Sequence, residues 1–164
     1  MANFTTPATP EELEAQYPIS EDSAIAQIAE ILAYYDFKLE TLDDTRVNKK
    51  TGQTERASAQ ETFEKLIPYY REGRLSNDKA ADGSLLIVQT LKEPKGTVAA
   101  IQYKEFTGDS RIASDGKGAD FSLTMAYAMM GSLSGFGELG MRNLRRGDLR
   151  AMEALALTFF VVMS

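Results

Sequence analysis

The residue types that carry most enzyme chemistry are missing from this chain. Its 164 residues include no histidine and no cysteine. Without histidine, no hydroxyl or carboxylate can be paired with an imidazole base. Without histidine or cysteine, the soft ligands of the usual zinc and transition-metal sites are absent. Carboxylates and lysines are what remain for acid–base work. Asp43-Asp44 is an adjacent carboxylate pair, but neighbouring acids in a polar loop are ordinarily just solvated. Ser76-Asn77-Asp78-Lys79 and Ser114-Asp115-Gly116-Lys117 both match S-x-x-K. Neither opens a convincing helix and no supporting motif accompanies them, so coincidence is the better account.

Gly135-Phe136-Gly137-Glu138-Leu139-Gly140 matches G-x-G-x-x-G to the letter. A dinucleotide site needs that motif to follow a strand and open a helix. Here a helix is expected before it, so a glycine-rich connector between helices is the preferred reading. Arg146-Gly147-Asp148 spells an adhesion tripeptide, but Asp148 is more simply a helix cap. No catalytic residue, cofactor or metal site is therefore expected.

The elements around these residues can be read from periodicity. A 43% apolar content is enough for a core. The net charge of −6 disfavours a nucleic-acid partner. The charge is uneven: residues 1–83 carry 16 acidic and 9 basic side chains, a balance of −7, and residues 84–164 carry 8 and 9, a balance of +1. The first ten residues lack the basic and apolar regions of a signal peptide. The apolar stretch at 154–163 is about half of the ~20 residues a membrane span needs. Together with the absence of cysteine, this points to a cytoplasmic protein without membrane contact.

Residues 1–18, with Pro7, Pro10 and Pro18, read as a flexible arm with one helical turn near 11–16. Residues 19–83 read as an N-terminal helical region. In it, Ile25, Ile28, Leu32, Tyr35 and Leu39 make a stripe on a helix over 20–40. A loop is expected over 43–57, around Gly52. A second helix over 58–72 has capping-box spacing at Ser58 and Glu61, the stripe Phe63, Leu66, Ile67 and Tyr70, and a kink or end near Pro68.

The pattern changes at Gly83. Residues 85–91 and 98–106 flank Pro94-Lys95-Gly96 and predict a β-hairpin, with Ala99, Ile101 and Tyr103 on one face. A glycine-containing loop is expected next, over 107–119. A third helix capped by Asp120 should run to about Met130, where the glycines of 131–140 break it. Leu139 and Leu144 fit a short connecting helix, and Asp148 the cap of a last helix with the stripe Met152, Leu155, Ala156 and Phe159. The expected fold is α+β, mainly α: two N-terminal helices, a hairpin, then a small C-terminal helical bundle over 84–164.

Methionine and phenylalanine concentrate near the C-terminus. Methionine adapts to irregular apolar partners. On that ground Met125, Met129, Leu149, Met152, Leu155, Phe159, Phe160 and Met163 are the candidate partner-binding residues.

Residues 84–160 also run in a familiar order. The hairpin leads to Phe106-Thr107-Gly108-Asp109, then to a helix rich in Ala and Met. Leu133-Ser134-Gly135-Phe136 comes next, and Leu144-Arg145-Arg146-Gly147-Asp148-Leu149 leads to Phe159-Phe160. This resembles the small tail-assembly chaperones of tailed phages, in particular the Mu-like and P2-like contractile-tail group. The resemblance implies a non-enzymatic, cofactor-free protein of the host cytoplasm. Its partner would be the tape-measure protein, whose apolar segments it keeps soluble until the tail tube assembles. The tube protein and further copies of the chain are secondary partners on this reading. The competing expectations are a structural component retained in a tail or tail-like particle, and a small enzyme working through carboxylates and lysines.

Overall fold

A computed structural model describes residues 9–38, 46–47, 54–55, 59–108 and 122–163. The chain is α+β and mainly α, with a small antiparallel sheet enclosed by helices on one face.

Helix α1 (Pro10–Ala15) lies inside the segment expected to be an arm. Thr9 and Glu12 form a reciprocal capping box: the Glu12 N–H donates to Thr9 Oγ1 at 3.2 Å, and the Thr9 N–H to Glu12 Oε2 at 2.8 Å. Residues 9–18 are also tied down. The Arg71 guanidinium lies 2.6 Å from Glu14 and 4.1 Å from the centre of the Tyr17 ring. Residues 1–8 of the expected arm lie outside the described residues.

Helix α2 (Glu21–Tyr34) starts at Ser20, whose hydroxyl accepts from the Ser23 N–H. It stops six residues short of the expected end, where Asp36 adopts a left-handed φ of 53° that a short polar side chain tolerates. Its buried face is Ala24, Ile28, Ile31 and Leu32, while Ile25 is exposed. Tyr35 is half-buried just beyond the helix, and Leu39 lies outside the described residues.

Part of the expected loop over 43–57 is a two-stranded ladder. β1 (Arg46–Val47) pairs antiparallel with β2 (Thr54–Glu55). Asp43-Asp44 and Gly52 lie outside the described residues. The single helix expected over 58–72 is two, α3 (Ala59–Glu64) and α4 (Ile67–Arg71). Pro68 falls in the first turn of α4, where no intrahelical donor is needed, so it opens a helix instead of kinking one. Ser58 lies outside the described residues.

The expected hairpin is one half of a three-stranded sheet. β3 (Leu75–Lys79), β4 (Leu85–Lys95) and β5 (Val98–Tyr103) pair antiparallel in that order. Leu75 pairs with Gln89 and Lys79 with Leu85; Ile87 pairs with Tyr103 and Thr90 with Ala100. The turn falls where Pro94-Lys95-Gly96 predicts it. The register shifts between Thr90 and Lys95, so β4 bulges there. Leu75, Ile87, Ile101 and Tyr103 point inward, whereas Ala99 is exposed.

Helix α5 (Leu123–Ser134) begins at Ser122, whose hydroxyl accepts from the Met125 N–H at 3.1 Å. The cap expected from Asp120 lies outside the described residues, as do Phe121, Gly116 and Gly118. The helix runs through Gly131 and ends at Gly135, where φ is +75°. Helix α6 (Gly137–Arg142) comes directly after it. Leu139 lies within it, exposed; Leu144 lies beyond it, buried.

Gly131 is set by a close approach. A Cβ there would stand 2.4 Å from the carbonyl carbon of Gly137 and 2.6 Å from the Glu138 nitrogen. Those are backbone atoms and cannot rotate away. In a free helix Gly131→Ala would gain about 1 kcal/mol. Here overpacking outweighs that gain, and a net loss of about 1–3 kcal/mol is expected in chemical denaturation.

Helix α7 (Arg146–Met163) crosses the inner face of the sheet and contacts α3 and α5. Ile31, Leu66, Tyr70, Leu75, Ile87, Tyr103, Met130, Met141, Met152, Leu155 and Phe159 belong to one continuous core. A division between residues 19–83 and 84–164 would cut through this core and through the β3–β4 pairing.

Candidate partner-binding surface

The eight side chains expected to face a partner divide sharply. Met125, Met129, Met152, Leu155 and Phe159 are buried within the protein's own fold. Leu149 and Phe160 are partly buried, and only Met163 is exposed. The physical reason lies in α7. The sheet takes one side of this helix while α3 and α5 take others, so its apolar residues are consumed over a wide arc. Methionine serves here as a filler of irregular internal space, with Met130, Met141 and Met152 fully buried.

The apolar groups left outside lie elsewhere. Leu139 on α6 is 71% exposed, and Phe136, in the bend before it, is 43% exposed. Leu123, at the start of α5, is also exposed. The bend between α5 and α6 is held tightly. The backbones touch at Gly131, and Arg142 bonds Glu138 at 2.6 Å one turn along α6. Phe136 and Leu139 are thus displayed on a fixed corner. Periodicity does not single them out, because they sit in a glycine-rich stretch with no stripe.

The motifs weighed for chemistry take structural roles where they are described. The G-x-G-x-x-G glycines come after a helix, with Gly135 closing α5 and Gly140 where a Cβ would stand only 2.9 Å from the Phe136 Cβ. Ser76 to Lys79 lie on β3. Ser114 to Lys117 lie outside the described residues. Among the described residues, no group of three or more acidic side chains is placed to hold a metal ion.

Asp148 does not cap α7. It lies inside the first turn, 1% exposed, and turns to the β4 bulge. Its Oδ1 accepts the Lys92 N–H at 2.8 Å and its Oδ2 the Glu93 N–H at 3.1 Å. Arg74 reaches Oδ1 at 3.4 Å. The Asp148 carbonyl accepts from Gln89 Nε2 at 2.7 Å, and Gln89 Oε1 accepts the Tyr103 hydroxyl proton at 2.7 Å. This buried network satisfies the donors that the bulge frees from the ladder.

Burial holds several tyrosines neutral. The Tyr35 hydroxyl is pushed up to about 12, chiefly by desolvation, against the opposing effect of the Phe106 N–H that donates to it. Burial raises Tyr70 and Tyr103 further still. These hydroxyls stay protonated at neutral pH and hydrogen-bond within the fold.

A groove of about 770 Å³ opens over the outer face of the sheet, lined by Asp82, Ser84, Leu86, Gln102, Lys104 and Leu133 among others. The Ser84 hydroxyl and N–H both donate to Asp82 and hold its carboxyl below the usual range. The groove is wide and lined by both polar and apolar side chains. Among the described residues no helix is long and apolar enough to cross a membrane. No protein-family model, no curated protein and no solved structure matches the chain.

Proposed function

We propose that the protein is a tail-assembly chaperone of the tailed-phage type, which binds the tape-measure protein and shields its apolar segments until the tube forms. The observation that carries this reading is the rigid corner bearing Phe136 and Leu139. These two apolar side chains are displayed on a braced helix bend and are not spent on the core. Exposed apolar groups held rigid suit recognition of an apolar helical segment, because little freedom is lost on docking. The order of hairpin, methionine-rich helix, Leu133-Ser134-Gly135-Phe136 and the Asp148-Leu149 helix supports it through the resemblance. The binding residues are reassigned from α5 and α7 to this corner.

The test is co-expression with the tape-measure protein encoded nearby, with the gene expected between those for tube and tape measure. The tape-measure protein should become soluble and co-purify, and a Phe136→Ser/Leu139→Asp variant with unchanged melting should lose both effects. The protein should be absent from purified particles. A tape-measure protein that stays insoluble refutes the reading. Stoichiometric presence in particles favours a retained structural component.

A further inference from the structure

The two edges of the three-stranded sheet are finished differently. Backbone bonding alternates along an antiparallel strand. The Thr90 N–H donates to the Arg74 carbonyl and the Ala80 N–H to the Ser84 carbonyl, so the even-numbered residues of β4 bond to β3. The odd-numbered ones, Ile87 and Gln89, therefore bond to Tyr103 and Ile101 of β5. Accordingly Asn77 on β3, and Ala100 and Gln102 on β5, turn their backbone groups outward.

On β3 the outward group is covered. The Asn77 N–H donates to Gln27 Oε1 of α2 at 3.0 Å, and the Asn77 side chain bonds the Gln27 carbonyl and Glu30. On β5, the Lys104 N–H just past the strand is taken by the Leu133 carbonyl at the end of α5. Between that point and the turn at Gly96, no described residue bonds the backbone of Ala100 or Gln102, and both residues are exposed. Nor does this stretch carry the usual protections of an open edge. Val98-Ala99-Ala100-Ile101-Gln102-Tyr103 has no charge and no proline.

We propose that this β5 edge pairs with the β5 edge of a second copy of the chain, antiparallel about a twofold axis through Ile101. The outward positions are symmetric about that residue. Ala100 of one copy would face Gln102 of the other, and each such pair would exchange both of its backbone hydrogen bonds. An extended strand offers a matching row of backbone donors and acceptors, which the interior of a helix spends on itself. The side chains meeting on the outer face would be Ala and Gln, which bring no like charges together. Lys104 falls opposite Val98 and not opposite its own image. The window is short, bounded by the α5 contact and the turn. Its area falls below the ~800 Å² per partner typical of stable complexes, so the dimer is reversible and concentration-dependent. This inference does not rest on the chaperone reading.

Sedimentation velocity over a concentration series tests it. The wild-type protein should show a dimer that grows with concentration. Ala100→Pro removes an outward N–H and leaves the inward ladder intact, and should raise the dimer dissociation constant roughly tenfold or more. A second measurement holds even where that variant folds poorly. In this cysteine-free chain, Ala100→Cys should be joined to its mate by a short bis-maleimide, whereas Asp78→Cys on the covered β3 side should not. A wild-type protein that stays monomeric at every concentration overturns the proposal, as does equal cross-linking of the two cysteine variants.

Discussion

Replacing Asp148 with alanine is expected to destabilise the protein by about 3–5 kcal/mol, the usual cost of removing one partner from a buried charged network. The change strips the acceptor from the Lys92 and Glu93 N–H groups and from Arg74 at once. Arg74 is itself largely shielded, and its Nε has no partner among the described residues. Its charge would keep only the half-exposed Glu72, 3.6 Å away, and the face of Tyr69. Water cannot easily replace the carboxylate, because the site lies between α7 and β4. For a chain of this size the loss corresponds to a fall in melting temperature of roughly 10 °C or more. Asp148→Asn keeps an oxygen for one of the two N–H groups but turns an NH2 toward other donors. It should fall between wild type and alanine. Urea denaturation of the three proteins checks the order. An alanine variant as stable as wild type would show that the bulge is satisfied in another way.

Phe159→Ala carries a loss of similar size, about 3–5 kcal/mol, for a different reason. The ring is 1% exposed and meets Tyr35 edge-to-face, with centroids 5.8 Å apart and planes at 89°. Its removal leaves a cavity at the point where α7 meets the chain leaving α2. It also loosens Tyr35, whose hydroxyl oxygen accepts the Phe106 N–H just beyond β5. Two segments distant in sequence are thus held through one ring. Phe159→Leu should recover much of the loss, since the void shrinks. A double-mutant cycle with Tyr35→Leu should give a coupling of about 0.5–1.5 kcal/mol, the range for aromatic pairs. Near-wild-type melting of Phe159→Ala would mean that the ring lies outside the core.

Local signals carried the elements that have them. Ser20 before an apolar stripe announces α2, and Pro94-Lys95-Gly96 between apolar runs announces the β4–β5 turn. The strand β3 lacked such a signal. Ser76-Asn77-Asp78 is poor in strand propensity, and it is held as a strand by pairing to β4 and by Asn77 bonding Tyr70 and α2. Pro68 was ambiguous for the same reason. A proline marks a boundary, but whether a helix ends or begins there is decided by the packing of the residues on either side.

The candidate surface shows the same division more sharply. An apolar stripe says that a face is buried without saying against what. Met152, Leu155 and Phe159 satisfy either partner or core equally well by type and spacing, and the core took them. By contrast, Phe136 and Leu139 show no periodicity and stay outside. Asp148 had the type and position of a helix cap, yet its acceptors serve a bulge 55 residues earlier in the chain.

Sequence alone determined what this chain lacks and where those elements with strong local signals lie, α2 and the β4–β5 turn among them. The missing imidazole and thiol groups, the amphipathic runs, the caps and the turns are properties of side chains and near neighbours, so they survive without a fold. Tertiary structure decided which apolar residues became core, which short segment became the edge strand β3, and which charge was buried. Those outcomes depend on pairings between residues far apart in the chain. The free energy of such contacts comes from whichever surfaces meet, and neither composition nor spacing encodes that meeting.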